Sequence, residues 1–292
     1  MLDKIKGGLF GVAIGDALGG TTEFMTEEEI QKKYGRLTSI IGGGVWNLEA
    51  GQVTDDTAMT IVVAKGILKD PEEPIDAIGE EFIKWYNNKP KDVGMTIRSV
   101  LSQFEGDWFT TSQLVRRQLY GKAGGNGSLM RTLPVALAYP SLEKMLDITD
   151  KQSRMTHYDD TASNVCQIYN RIARRILYKE PLKEAIEKEV EGTEFASALA
   201  NKPDVPADGY VVHTFLWVIH YLNKYNDFLD IAIEAANKGD DSDTTAAIAC
   251  GLKGMEIGFE RLPDDFKNKI LIKDDLHTIA EDLYSLRLRI LE

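Results

Sequence analysis

The chain has 292 residues but only two cysteines, four histidines and nine prolines. Cys166 and Cys250 both fall inside helical patterns, which excludes a disulfide-built scaffold and leaves them as buried thiols of an intracellular protein. His157, His213, His220 and His277 carry no ligand spacing, so a zinc site of the His/Cys kind is excluded. Positive charge is also scarce: 34 Lys and Arg stand against 46 Asp and Glu, a net charge of −12. Without clustered cations there is no footprint for a nucleic-acid backbone, and nucleic acid is not an expected partner. No apolar run reaches membrane-spanning length, so no stable membrane insertion is expected. The charged stretch from Met1 to Lys6 does not read as a signal peptide, which makes a cytoplasmic location the expectation. Linker-like Ser/Gly or Pro-rich tracts are missing too, and residues 1–292 read as one domain.

What is present is helical periodicity almost throughout. Stretches such as Leu2 to Leu18, Asp56 to Lys69, Asp159 to Leu177, Val211 to Asn223 and Asp243 to Ile257 predict helices. Only Leu37 to Ile41 has strand-like character, and it runs into Gly42-Gly43-Gly44. The fold class is therefore all-α, a compact multi-helix domain. Two of the helices are unusual. Gly7, Gly8, Gly11, Gly15, Gly19 and Gly20 stud the first, while Gly251 and Gly254 interrupt the last long small-residue helix. A helix-interior glycine costs about 1 kcal/mol relative to alanine. Close packing of backbones offsets that, so both helices are expected at the centre.

Two acidic clusters lie far apart in sequence, each at a predicted helix start: Thr54-Asp55-Asp56-Thr57 and Asp240-Asp241-Ser242-Asp243-Thr244-Thr245. Carboxylates there cap free N–H groups and meet the positive end of the helix dipole. Capping alone requires fewer of them. With Glu23, the carboxylates of Asp55, Asp56, Asp241 and Asp243 would repel one another if brought together, and hard oxygen ligands of this kind suit Mg²⁺ or Mn²⁺. Two divalent ions would nearly neutralise the group, with Thr54 and Thr244 as neutral oxygen ligands.

The segment from Gly121 to Arg131 holds Gly124-Gly125-Asn126-Gly127-Ser128 and is not a P-loop, since no Gly-Lys-Ser/Thr follows a strand. Either it is a surface turn, or its glycines let N–H groups converge on an anion. The Gly42 to Gly44 stretch offers a weaker version of the same device. His157 precedes a predicted helix; a lone histidine is more often structural, and substrate contact suits it better than catalysis. Asp92 reads locally as a helix N-cap.

In this order, the blocks Gly15-Asp16-Ala17-Leu18-Gly19, Glu23-Phe24, Thr54-Asp55-Asp56-Thr57, Gly124 to Arg131, Thr156-His157 and Gly239 to Thr244 resemble the ADP-ribosylglycohydrolase family. Glu23-Phe24-Met25-Thr26 and Asp92-Val93-Gly94 resemble its bacterial branch acting on ADP-ribosylated dinitrogenase reductase. The resemblance implies an all-α fold with a binuclear Mg²⁺/Mn²⁺ centre in a cleft. It implies Thr54, Asp55, Asp56, Asp241, Asp243 and Thr244 as metal ligands, and Glu23 and Asp92 as the catalytic acids. Gly124, Gly125, Asn126, Gly127, Ser128 and His157 would contact ADP-ribose. Met95 stands where the nearest relatives are expected to carry a polar residue. The implied reaction releases ADP-ribose from arginine on a modified protein. Alternatives are an ADP-ribosyl-serine or O-acetyl-ADP-ribose linkage, a non-catalytic ADP-ribose-binding protein, or a two-metal phosphatase or nucleotidase.

Overall fold

A computed structural model describes residues 1–291. Among these residues there are sixteen α-helices, three short 3-10 turns and no strand. Two isolated bridges pair Gly43 with Leu48 and Gly125 with Tyr210. The Leu37 to Ile41 stretch forms no strand; Leu37 and Ile40 are core residues of an irregular segment.

Leu2–Gly19 and Ser242–Ile257 are the central pair, antiparallel and buried nearly all round. The glycine spacing explains their approach. Gly7, Gly11, Gly15 and Gly19 recur every four residues on one face, and a Cβ at each would collide with the backbone at Gly254, Cys250, Ala246 and Asp243 in turn. Gly254 lies reciprocally against the Gly7 carbonyl, and Gly251 receives the Val12 side chain. Contact without side chains lets two backbones lie side by side, at the helix-propensity cost noted above.

The antiparallel arrangement puts the end of the first helix beside the start of the second. A third helix, Asp55–Lys69, is tied to the same corner by Asp16. The Asp16 carboxylate is fully buried and accepts the backbone N–H groups of Thr54 (2.9 Å) and Thr57 (3.0 Å), together with the Thr57 hydroxyl. Two N-terminal helix ends therefore point into one place. Around this core, Pro74–Asn87 packs on Asp55–Lys69, and Lys273–Leu291 covers Leu2–Gly19. Arg287, wholly buried, closes the far side by donating to the last carbonyls of Leu133–Ala138, those of Ala136 (3.0 Å) and Leu137 (3.1 Å).

Asp92 is not a helix N-cap. That helix runs Met95–Ser102 with Gly94 as its cap, so Asp92 sits in the preceding loop and its carboxyl is available elsewhere. Leu142–Arg154 is a further long helix, and Ser197–Ala200 and Asp264–Lys269 are short ones.

Candidate metal centre and cleft

Thr54 caps the Asp55–Lys69 helix, and its hydroxyl points toward Asp56 (3.3 Å) and Asp243 (3.4 Å) across the gap between the two helix starts. From the other side the Thr244 hydroxyl donates to Asp56 (3.1 Å). The two acidic clusters, separated by almost the whole sequence, are thus in direct contact. Asp241 accepts from the Asn126 side-chain amide (2.6 Å), which also donates to Thr214 (2.9 Å). Asp55 accepts the backbone N–H of Gly94 (3.1 Å) and lies against Asp92. Oxygens of Glu23, Asp92 and Asp243 come within 4.8 Å of one another.

Such crowding is costly in a dry site. Burial raises Glu23 to about 8, with Asp241 and Asp55 adding repulsion, and raises Asp92 to about 9, with Asp55 and Glu23 adding to it. Asp56 and Asp243 are pushed well above the carboxylate range by burial first and neighbouring carboxylates second. Each of these two also keeps one carboxylate oxygen, Oδ1, buried with no protein partner. Buried polar atoms are nearly always satisfied. Two orphaned carboxylate oxygens within an acidic cluster are what hard divalent cations would complete, so the donor set fits metal ions.

A cleft of about 480 Å³ opens over this cluster, lined by Glu23, Asp55, Asp92, Asn126, Gly127, His157, Asp241, Asp243 and Thr244. Gly125 and Met130 also reach it. Thr54 and Asp56 lie just beneath its floor. The glycine segment is no surface turn: Asn126–Ser128 is a buried 3-10 turn, with the Asn126 N–H bound to the Gly209 carbonyl (3.0 Å). Its glycines serve space rather than unusual angles, since Gly125 has φ −70°. A Cβ on Gly127 would meet Ile97 at 2.9 Å and His157 at 3.0 Å. Two expected contacts stand back from the cleft. The Ser128 hydroxyl is fully buried and accepts from Ser153 (2.8 Å), and Gly124 faces Asp159 and Tyr210.

His157 is buried, and Thr156 holds its ring orientation. The Thr156 hydroxyl accepts from Arg131 (2.8 Å) and shares a hydrogen bond with His157 Nδ1 (2.9 Å), which leaves Nε2 beside Gly125 and Gly127. Burial, with Arg131 adding to it, lowers His157 to about 3, so the ring is neutral at any ordinary pH. It can take part in a hydrogen bond but not act as an acid–base group.

Several cleft residues were not singled out from the sequence. Trp46 donates its indole N–H to Glu23 (2.5 Å). It is presented by a turn in which Gly42, Gly43 and Gly44 all have positive φ. Asp208 and Gly209 also line the cleft, with Asp208 accepting from the Tyr210 N–H (3.1 Å) and paired to His213. A backbone strap joins the Glu23 and Asp241 segments: Phe24 N–H donates to the Asp240 carbonyl (2.7 Å) and Asp240 N–H to that of Met25 (2.9 Å). Phe24 and Asp240 both occupy left-handed conformations, at φ 61° and 51°. Strain of that kind, about 1 kcal/mol or more each, persists only where the surroundings hold it. Phe24 and Met95 stand exposed at the mouth of the cleft.

Fold and site together define an all-helical protein with a buried acidic centre, competent to hold metal ions, at the bottom of a ligand-sized cleft. Residues 1–290 match the ADP-ribosylglycohydrolase family model, and the chain belongs to that family. An ADP-ribosyl-(dinitrogen reductase) glycohydrolase of Rhodospirillum rubrum is 32% identical over 93% of this chain and 91% of its own. An ADP-ribosylarginine hydrolase of Serratia proteamaculans is 26% identical, over 97% of this chain and 79% of its own. A solved structure described as an "ADP-ribosylglycohydrolase-related protein complex" superposes with a TM-score of 0.84, covering 98% of both chains at 23% identity, which bears on the fold. The protein is a hydrolase of this family. No helix among the described residues is long and apolar enough to cross a membrane.

Proposed function

We propose that the chain works as a single domain that removes ADP-ribose from arginine side chains of modified proteins by hydrolysing the N-glycosidic bond. The observation that carries this is the convergence of Glu23, Asp92 and Asp243, with orphaned buried oxygens on Asp243 and on the neighbouring Asp56. Thr54, Asp55, Asp56, Asp241, Asp243 and Thr244 would hold two divalent cations, Mg²⁺ or Mn²⁺. When bound, such ions supply positive charge that offsets the carboxylates and fixes a ribose diol against them.

The chain's own groups do the rest. Glu23 and Asp92 bring carboxylate oxygens within 4.8 Å of each other, and they would serve as the two carboxyl groups that glycoside hydrolysis uses. Trp46 fixes the Glu23 carboxylate and favours its ionised form. Glu23, held by an N–H that favours its ionised form, suits the water-activating side, and Asp92 the proton-donating side. Neutral His157 and the Gly125 to Gly127 turn offer a hydrogen-bonding nitrogen and open space to the ADP-ribose.

Beyond the proposed ligands and the proton donor Asp92, both Asp208 and Asp240 line the cleft, which favours a cationic acceptor. An arginine guanidinium stays protonated and pairs with such carboxylates, whereas a serine linkage offers no charge. The name of the Serratia relative, an ADP-ribosylarginine hydrolase, supports the same arginine chemistry, and that of the Rhodospirillum relative makes dinitrogenase reductase a candidate substrate. Turnover of ADP-ribosyl-arginine and ADP-ribosyl-serine proteins, with and without EDTA, tests the reading. The arginine linkage is expected to be cleaved much faster, and only with metal. Asp92→Ala should lose most of that turnover while still binding free ADP-ribose; preference for serine, or wild-type rates in Asp92→Ala, would overturn it.

A further inference from the structure

Apart from the acidic cleft, and sharing no lining residue with it, a second cavity of about 260 Å³ lies between the Glu27–Tyr34, Val211–Lys224 and Phe228–Ala236 helices. Its charge runs against that of the molecule. Arg36, Lys202, Lys224 and Lys238 line it, against Glu27 and Glu234 alone. The two carboxylates are already engaged, Glu234 by Arg36 (2.6 Å) and Glu27 by Lys238 (2.5 Å). Lys202 and Lys224 have no carboxylate partner among the described residues. Instead the Lys202 and Lys238 ammonium groups both stand over the Trp217 ring, at 5.6 and 5.1 Å from its centre, and Lys224 stands over Tyr225 at 4.9 Å.

Tyr221, 4% exposed, lies between Trp217 and Tyr225 in an aromatic ladder and borders the cavity. Its hydroxyl has no hydrogen-bond partner among the described residues, unlike that of Tyr225, which donates to Glu234 (3.1 Å). A hydroxyl without a protein partner at the cavity edge, beside Lys202 and Lys224 that no carboxylate neutralises, matches an anion that accepts hydrogen bonds from several sides. A second opening of the surface continues from the same Lys202, Trp217 and Lys238.

We infer that this cavity is an oxyanion site, separate from the acidic cleft, that takes a phosphate group. Lys202, Lys224 and Lys238 supply the charge, and Tyr221 donates its free hydroxyl. The phosphate is either free or carried by a small nucleotide.

Indole N–H resonances distinguish the two sites, because Trp217 reports this cavity and Trp46, bonded to Glu23, reports the cleft. The metal-loaded protein is titrated with inorganic phosphate, with AMP, and with chloride at matched ionic strength. The Trp217 signal, assigned by Trp217→Phe, should shift saturably with phosphate while Trp46 stays still. The exposed Lys202 and Lys224 can be replaced without opening the core, and Lys202→Ala/Lys224→Ala should weaken binding about tenfold or more. Tyr221→Phe should weaken it with the ladder intact. Tighter binding of AMP assigns the nucleotide, and equal binding assigns the phosphate alone. A linear response, one matched by chloride, one confined to Trp46, or one unchanged in the double variant would overturn the inference.

Discussion

Removing metal should reverse the sign of the protein's pH dependence. In the metal-free protein Glu23 is buried and its carboxyl is raised from 4.5 to about 8. Between those values the folded chain holds a proton that the unfolded chain has released, so stability falls as pH rises, at ~1.4 kcal/mol per pH unit for one group. Across the window the loss is on the order of 4–5 kcal/mol for Glu23. At ~2 °C per kcal/mol for a chain of this size, that is a fall in Tm of about 10 °C. Divalent cations bind the ionised carboxylates, so the metal-loaded protein should hold or gain stability over the same range. The assay is a thermal melt followed by circular dichroism at half-unit steps from pH 5 to 9, in EDTA and in excess Mg²⁺ or Mn²⁺. Glu23→Gln keeps the shape and an acceptor for Trp46 but cannot titrate, so in EDTA its curve should lose a large share of the slope. A metal-free Tm that is flat or rises with pH would refute the reasoning. A slope unchanged in Glu23→Gln would transfer the effect from this cluster to the general negative charge.

Trp46→Phe removes the one N–H that favours ionised Glu23 while keeping an aromatic ring, so kcat should fall about tenfold and the acidic limb of activity, set by ionisation of Glu23, should move upward in pH; an unmoved pH profile would contradict it. Gly127→Ala pushes a methyl toward Ile97 and His157, and calorimetry should show weaker ADP-ribose binding with little change in Tm. Gly7→Ala and Gly19→Ala make the same kind of clash at opposite ends of the central pair, and each should cost ~1–3 kcal/mol or more in denaturant unfolding. Only Gly19→Ala presses on Asp243, so metal affinity should fall there and survive in Gly7→Ala.

The helical fold was legible because its signals are local. Thr26 with Glu29 forms a capping box, Asp159 and Asp227 cap the helices that follow them, and the glycine-studded stretches lie at the centre as their composition suggested. The two acidic clusters were legible for the same reason, each being a helix start dense in carboxylates. What sequence did not carry was direction. Asp92 sits three residues before its helix and reads as a cap, although its carboxyl turns to Asp55. Ser128 belongs to a glycine-rich block that suggests ligand contact, yet its hydroxyl turns inward to Ser153. Trp46 was invisible because an aromatic residue after three glycines has no periodicity to betray it. Its role depends on a turn set by three positive φ angles.

The placement of the centre follows from backbone contact more than from the carboxylates themselves. Like charges do not gather unaided; something must force them together before cations can bind them. Here the force comes from uncharged parts. The glycine face of Leu2–Gly19 docks on the Ser242 helix with no side chain between them, which sets Asp243 against the end of the first helix. Asp16, one turn earlier, holds the Asp55 helix at the same corner through backbone N–H groups. The strap between Phe24 and Asp240 then fixes Glu23 and Asp241 relative to each other, with two strained residues held in place by reciprocal hydrogen bonds. None of these contacts involves the orphaned oxygens of Asp56 and Asp243. Those oxygens are therefore positioned before any ion arrives, and the binding energy of an ion is not consumed in assembling its ligands.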